Sequence, residues 1–244
     1  DTLVGTYLYS HGYGFVEPDD IRYYKDIFIP QEARGGARNG QKVVVKITDY
    51  PDFRKNPEGK IIEVLGETGS IEADILSIMR SFDLYEEFNG RTLRAAARAP
   101  QGVSEDELAG REDFRDDVVI TIDGEDAKDL DDAISISKDG EDFILGVHIA
   151  DVSHYVEEGS PLDTEALKRG TSVYFPDRVL PMLPRELSNG ICSLHPGVDR
   201  LTLSVIMRVN SQGKVTSSRI SKSVIRSKAR MTYASVQKIL DGDE

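Results

Sequence analysis

The densest chemistry in this sequence lies in thirteen residues, Thr121-Ile122-Asp123-Gly124-Glu125-Asp126-Ala127-Lys128-Asp129-Leu130-Asp131-Asp132-Ala133. Seven of the thirteen side chains are charged, and apolar, strand-like runs bound them on both sides (Val118-Val119-Ile120 and Ile134-Ser135-Ile136). Carboxylates pinned between two buried strands repel one another unless a counter-ion joins them. Hard oxygen donors of this kind suit Mg²⁺ or Mn²⁺. About four of them can hold two ions roughly 4 Å apart, where they stabilise the attacking and leaving oxygens of a phosphodiester. A calcium loop of the helix–loop–helix type fails on spacing. Counted from Asp123, its fifth, sixth and twelfth positions are Ala127, Lys128 and Ile134, where an acid, a glycine and a glutamate are required. The residues alone leave a merely solvated acidic loop as the alternative.

Charge along the chain is as uneven as that segment. The net charge is −13, but residues 103–163 carry 4 basic and 20 acidic side chains, while residues 164–244 carry 13 basic and 7 acidic. Such concentration calls for either a solvated face or a cation site. Lys168, Arg169, Arg178, Arg185, Arg200, Arg226 and Arg230 in the basic stretch are candidates to line a channel for a phosphate backbone. His148, Asp151 and His154 fall within seven positions, close enough to invite a zinc reading. Period-two alternation along a strand puts the two histidines on one face and Asp151 on the other, which argues against it.

The elements that must position these residues are legible in outline. Five short strands, at 4–10, 13–17, 26–30, 42–49 and 59–65, are punctuated by Gly, Pro, Asp and Asn, which suits a small closed barrel. Tyr13 and Phe15 share one face of such a strand, with Phe28 on the next; glycine between them would let a flat base approach and stack. The alternative for any of these rings is barrel core. Ile71, Ile75, Ile78, Met79, Phe82 and Tyr85 recur at helical spacing, and strands return at 118–122, 133–137 and 143–150. Ser160, Pro161 and Gly170 mark the start and stop of a helix, Asn210-Ser211-Gln212-Gly213 marks a hairpin, and Thr232 caps a last helix to about Leu240. The single cysteine, Cys192, reads as a small buried hydrophobe in a reducing, cytoplasmic setting. No apolar run reaches the 18 residues of a membrane span. Neither the start, Asp1-Thr2-Leu3-Val4-Gly5, nor the end, Asp241-Gly242-Asp243-Glu244, carries a terminal signature, so a piece of a longer protein is expected.

Two resemblances sharpen this reading. Gly12-Tyr13-Gly14-Phe15-Val16 and Asp26-Ile27-Phe28-Ile29-Pro30 resemble the two nucleic-acid-binding strand motifs of the cold-shock domain, an OB-type barrel. The acidic segment resembles the signature of the RNB catalytic domain of the ribonuclease II and ribonuclease R exoribonucleases. That likeness continues through Gly146-Val147-His148-Ile149-Ala150-Asp151-Val152-Ser153, Arg169-Gly170-Thr171-Ser172-Val173-Tyr174-Phe175-Pro176, residues 181–190 (PMLPRELSNG) and Asp199-Arg200-Leu201. The resemblance implies an α+β chain: a cold-shock barrel at 1–66, a helical connector and linker at 67–114, and the N-terminal part of a mixed α/β RNB domain at 115–244. It implies 3′-to-5′ hydrolysis of single-stranded RNA to nucleoside 5′-monophosphates, with Mg²⁺ or Mn²⁺ and no small-molecule cofactor beyond the metal, and no membrane. Asp123, Asp129, Asp131 and Asp132 match the metal-binding aspartates. Asp131 matches the one on which the chemical step depends. Tyr174 matches the aromatic that stacks near the RNA 3′ end, and Glu125 and Asp126 match no family role. The family's domain also runs on past the last motif, supplying an arginine and a glutamate. A catalytically weak or inactive RNA-binding fragment is therefore the second expectation, and an acidic cation-binding protein without an RNA role the third.

Overall fold

Strands β1 (Thr2–Ser10), β2 (Tyr13–Pro18), β3 (Ile27–Ile29), β4 (Gln41–Asp49) and β5 (Glu58–Glu67) close into a barrel in the order β1-β2-β3-β5-β4. The computed structural model describes residues 1–50 and 55–242; Asp243 and Glu244, part of the acidic end noted above, lie outside them. Closure leaves no free sheet edge, and alternate residues fill the interior: Tyr7, Val16, Ile27, Ile29, Val43, Val45 and Ile61 are each almost fully buried. Helix α1 (Ile71–Ser81) follows, its start capped by the Ser70 hydroxyl, which accepts from Ala73 N–H at 3.2 Å.

Of the expected apolar stripe of this helix, Met79 alone is buried. Ala73, Ser77 and Met79 are buried, while Ile71, Ile78 and Phe82 are exposed. The barrel wall there is a shallow patch of Val4, Val44 and Leu65 with Leu76 against it, and small residues let the helix approach more closely than isoleucines would. The compact unit built on the barrel comprises Asp1–Glu87 with Phe175–Arg178.

The second unit comprises Phe88–Tyr174 with Val179–Glu244. In chain order it holds α2 (Gly90–Ala96), β6 (Glu112–Phe114), β7 (Val119–Asp123), β8 (Asp132–Asp139), β9 (Asp142–Ala150), α3 (Val152–Tyr155), α4 (Pro161–Arg169), β10 (Val173–Tyr174) and β11 (Val179–Leu180). A kinked turn at Leu187–Ile191, then β12 (Asp199–Val209), β13 (Val215–Arg226), β14 (Ala229–Thr232) and α5 (Tyr233–Asp241) complete it. Seven strands make one sheet in the order β14-β7-β8-β9-β12-β13-β6, antiparallel inside with a parallel strand at each edge. The helix signals act as expected. Ser160 Oγ accepts from Asp163 N–H at 3.1 Å, Gly170 ends α4 at φ 75°, and Thr232 Oγ1 accepts from Ser235 N–H at 3.1 Å. Cys192 is buried beside Ala96, Leu162, Leu187 and Ile191, and burial pushes its thiol up to about 12. Among the described residues, no helix is long and apolar enough to cross a membrane.

The two faces of this sheet invert the usual pattern. The covered face carries Ala133, His148, Thr202, Ser204 and Ser223, all buried. His148 Nδ1 and Ser204 Oγ lie 2.6 Å apart, His148 Nε2 and Ser135 Oγ 3.0 Å, and Ser223 Oγ meets Thr202 Oγ1 at 2.7 Å. Such a buried chain of hydroxyls is tolerable because each finds a partner. Burial pushes the His148 imidazole down to about 4, so it stays neutral. On the other face, register lines up Ile149 with Leu203, and Val147 with Val205 and Ile220. There Ile136, Ile149, Leu203 and Ile220 are exposed.

Candidate functional site

The acidic segment becomes the turn between β7 and β8. Asp123 is the last residue of β7 and Asp132 the first of β8, with Asp129 and Asp131 in the loop between. Leu130, fully buried, nails the loop down. Its N–H donates to Ser193 Oγ at 3.0 Å, and its carbonyl accepts from Leu194 N–H at 2.9 Å. The Ser193 hydroxyl donates in turn to the Lys128 carbonyl at 2.9 Å, and the Asp131 carbonyl accepts from Ala150 N–H at 2.9 Å. Arg200, itself buried, donates to the carbonyls of Ser193 at 2.8 Å, Asp199 at 2.9 Å and Gly190 at 3.2 Å. From β14, Arg230 grips the other end of the loop through the carbonyls of Gly124 at 3.0 Å and Glu125 at 2.7 Å.

So held, the aspartates feel one another. Removal from water raises the carboxyl of Asp123 above its ordinary range, and the charge of Asp132 adds to it. Asp131 is raised too, first by crowding among protein atoms, although its edge is open to solvent, and then by Asp129, Asp132 and Asp123. The buried Asp123 Oδ2 has no hydrogen-bond partner among the described residues. Acids that repel, with an acceptor left unsatisfied, fit a divalent cation. As the side chains stand, however, no three His, Cys, Asp or Glu groups among the described residues are gathered closely enough to hold one ion. Bringing them onto an ion requires side-chain rotation.

Tyr174, on β10, is 68% exposed, so its ring is no part of the core. Its hydroxyl donates to Asp129 Oδ2 at 3.2 Å. Tyr174 and Asp129 line a cavity of about 710 Å³ together with Arg185, Asn189 and Arg230. Glu125 and Asp126 are exposed. The basic residues divide by partner. Arg169 pairs with Glu165 at 3.0 Å and lies over the Phe88 ring, and Arg226 pairs with Asp199 at 2.7 Å. Arg178, in the barrel unit, pairs with Glu86 and Asp177. Arg200 and Arg230 hold the loop. Lys168 is on α4, and Arg185 opens onto the cavity. Ser193 gives no signal in sequence, and Arg200, expected to line a channel, is instead buried and holds three carbonyls.

The alternation drawn through His148, Asp151 and His154 does not hold, because β9 ends at Ala150. His148 is locked in the hydroxyl chain. Asp151 forms a buried ion pair with Arg111 at 2.8 Å, and His154, in the turn α3, meets Glu107 at 2.8 Å.

In the barrel unit, Tyr13, Phe15 and Phe28 all lie outside the core. The Phe28 ring centroid is 6.4 Å from that of Tyr13 and 5.6 Å from that of Phe15, while their strand neighbours Val16, Ile27 and Ile29 point inward. Gly14 serves the interior rather than a ligand, because a Cβ there would stand 2.6 Å from the Tyr7 hydroxyl.

Comparison with known proteins agrees with both parts. The RNB domain model matches residues 111–244 and the cold shock domain model residues 15–89. Ribonuclease R of Thermotoga maritima is 49% identical over 98% of this chain, and ribonuclease R 1 of Lactococcus lactis 48% identical over 83%. The chain spans 34% of the first relative's length and 25% of the second's. Mycoplasma genitalium RNase R, solved in complex with ribose methylated single-stranded RNA, superposes with a TM-score of 0.92 at 28% identity, covering 100% of this chain and 39% of that one. From the aspartate loop, the flanking motifs and these matches together, the chain belongs to the RNB-domain family of its ribonuclease R relatives.

Proposed function

We propose that this chain carries the single-strand-binding barrel and the metal-binding part of a 3′-to-5′ exoribonuclease, which hydrolyses single-stranded RNA to nucleoside 5′-monophosphates. The division into a barrel at 1–66, a connector at 67–114 and a catalytic part from 115 belongs to the same reading. The observation that carries it is the loop between β7 and β8, which sets Asp123 and Asp131 beside the charges of Asp129 and Asp132 and leaves Asp123 Oδ2 unpaired among the described residues. Asp123, Asp129, Asp131 and Asp132 would hold Mg²⁺ or Mn²⁺. A divalent ion supplies charge stabilisation at the scissile phosphodiester. Arg230 and the Ser193–Arg200 pair fix the loop backbone at the strand ends, so that side-chain rotation is what is left to metal binding. The exposed Tyr174 ring offers a face for a base near the 3′ end, and its hydroxyl keeps it beside Asp129. Arg185, at the cavity wall, is placed to meet a backbone phosphate. The rings of Tyr13, Phe15 and Phe28 give the barrel its own stacking surface.

The second reading, an RNA-binding piece that does not cleave, is favoured by the spread of the carboxylates as they stand. A 5′-labelled single-stranded RNA, incubated with the chain and Mg²⁺, separates the two. Metal-dependent shortening from the 3′ end, lost in Asp131→Asn and in chelator, supports the nuclease. Binding without shortening supports the second reading, and neither binding nor shortening sinks both.

A further inference from the structure

Among the described residues, one end of the barrel holds a cavity lined by none of the three stacking rings. Where β3 begins and β4 ends, a cavity of about 220 Å³ opens over the core residues Ile27 and Ile47. This is smaller than the pockets of roughly 300–1,000 Å³ that take drug-sized ligands. Its walls are tyrosines: Tyr23, Tyr24 and Tyr50. Residues that merely plug a barrel bury their rings, yet Tyr24 is 76% exposed and Tyr50 59% exposed. Exposed aromatic faces around an apolar floor leave a flat, uncharged ring system as the natural occupant.

The rim adds charge to the rings. Arg22, Lys25 and Lys55 line it. Arg22 is clamped by Asp20 and Lys25 reaches the Lys55 carbonyl at 3.1 Å. Asp1 takes the Tyr50 hydroxyl at 2.7 Å, holding that ring in place. The pocket also adjoins the stacking face. Phe28 follows Ile27 on β3, and its N–H donates at 2.8 Å to the carbonyl of Pro57, another wall residue. The ring nearest the mouth in the chain is thus Phe28, next to one wall residue and bonded through its backbone to another.

We propose that the barrel mouth is a second nucleotide subsite, taking one base of single-stranded RNA among Tyr23, Tyr24 and Tyr50 with its phosphate at Lys55. The inference rests on the RNA-binding reading above. It makes RNA binding by the barrel dependent on length, because a strand must outrun the first subsite to reach the second.

The test is fluorescence anisotropy on the full chain with labelled oligouridylates of about 4 to 12 nucleotides, in EDTA so that no cleavage intervenes. Tyr24→Ala is expected to weaken binding of the longest oligonucleotides about tenfold and to leave the shortest unchanged. Tyr24→Phe should bind as the parent does, since the ring and not the hydroxyl is used. Tyr50→Ala is a second variant with the same expected pattern, and thermal melts check that both still fold. Tyr13→Ala/Phe28→Ala should weaken every length. If Tyr24→Ala and Tyr50→Ala bind every length like the parent while Tyr13→Ala/Phe28→Ala does not, the subsite is overturned and RNA binding survives. A parent chain that binds no length overturns the RNA reading, and the subsite with it.

Discussion

The ring face of the barrel and the aspartate loop of the second unit solve the same problem, presenting chemistry at a surface, by opposite means. In the barrel, each outward ring alternates with a core residue on a regular strand: the half-buried Phe15 with Val16, and the half-buried Phe28 with Ile27 and Ile29. Position follows from the pleat, and the backbone ladder does the holding. In the second unit the carboxylates stand where strands stop, and distant polar groups hold them: Ser193, Arg200 and Arg230 lie 60 or more residues away along the chain. A site made by alternation is cheap to build and tolerant of change. A site made by a scaffold of buried hydrogen bonds stands or falls with that scaffold.

The largest expected effect comes from breaking the scaffold. Arg200→Ala would strip donors from three carbonyls in a buried place and should destabilise the second unit by on the order of 4 kcal/mol. Urea unfolding followed by probes in each unit measures it, and the barrel transition should not move. An Arg200→Ala chain of parental stability would mean that the loop does not depend on this scaffold.

Next comes the hydroxyl chain behind the sheet. The His148 imidazole is held near 4 against an ordinary value near 6.5, so below that ordinary value the unfolded chain takes up a proton that the folded one refuses. Stability is therefore complete above about pH 6.5 and falls by roughly 3 kcal/mol as the pH drops to about 4. His148→Gln, which cannot titrate, should flatten that slope, and denaturation midpoints across the pH range give the answer.

The smallest effects sharpen the barrel side. Gly14→Ala forces a methyl onto the Tyr7 ring and should cost about 2 kcal/mol. Its neighbour Tyr13 is 60% exposed, and Tyr13→Ala should shift stability by less than about 0.5 kcal/mol. Two adjacent residues with such different costs would show that the strand, rather than the rings, carries the barrel's stability.

The same contrast explains what could be read in the sequence. The barrel strands, the caps at Ser160 and Thr232, and the four aspartates at the β7–β8 turn are local signals of pattern or composition, and each is where its pattern implies. The helix at 71–81 was legible as a helix, but its buried face was not, because Ala73 and Ser77 win their place by fitting a shallow wall rather than by being apolar. Alternation says nothing about the zinc alternative beyond Ala150, where β9 stops. Ser193 was invisible for a deeper reason. A hydroxyl that bridges two backbone groups far along the chain leaves no local trace.

The uncovered face of the seven-stranded sheet has a consequence for how copies of this chain meet in solution. Ile136, Ile149, Leu203 and Ile220 give it adhesion, while residues 103–163, which supply four of its strands, bring 20 acidic side chains against 4 basic ones. Attraction and repulsion are thus opposed within one layer. Dissolved salt shortens the reach of the charges and leaves the apolar surface as it was, so ionic strength sets which of the two a neighbouring copy feels first.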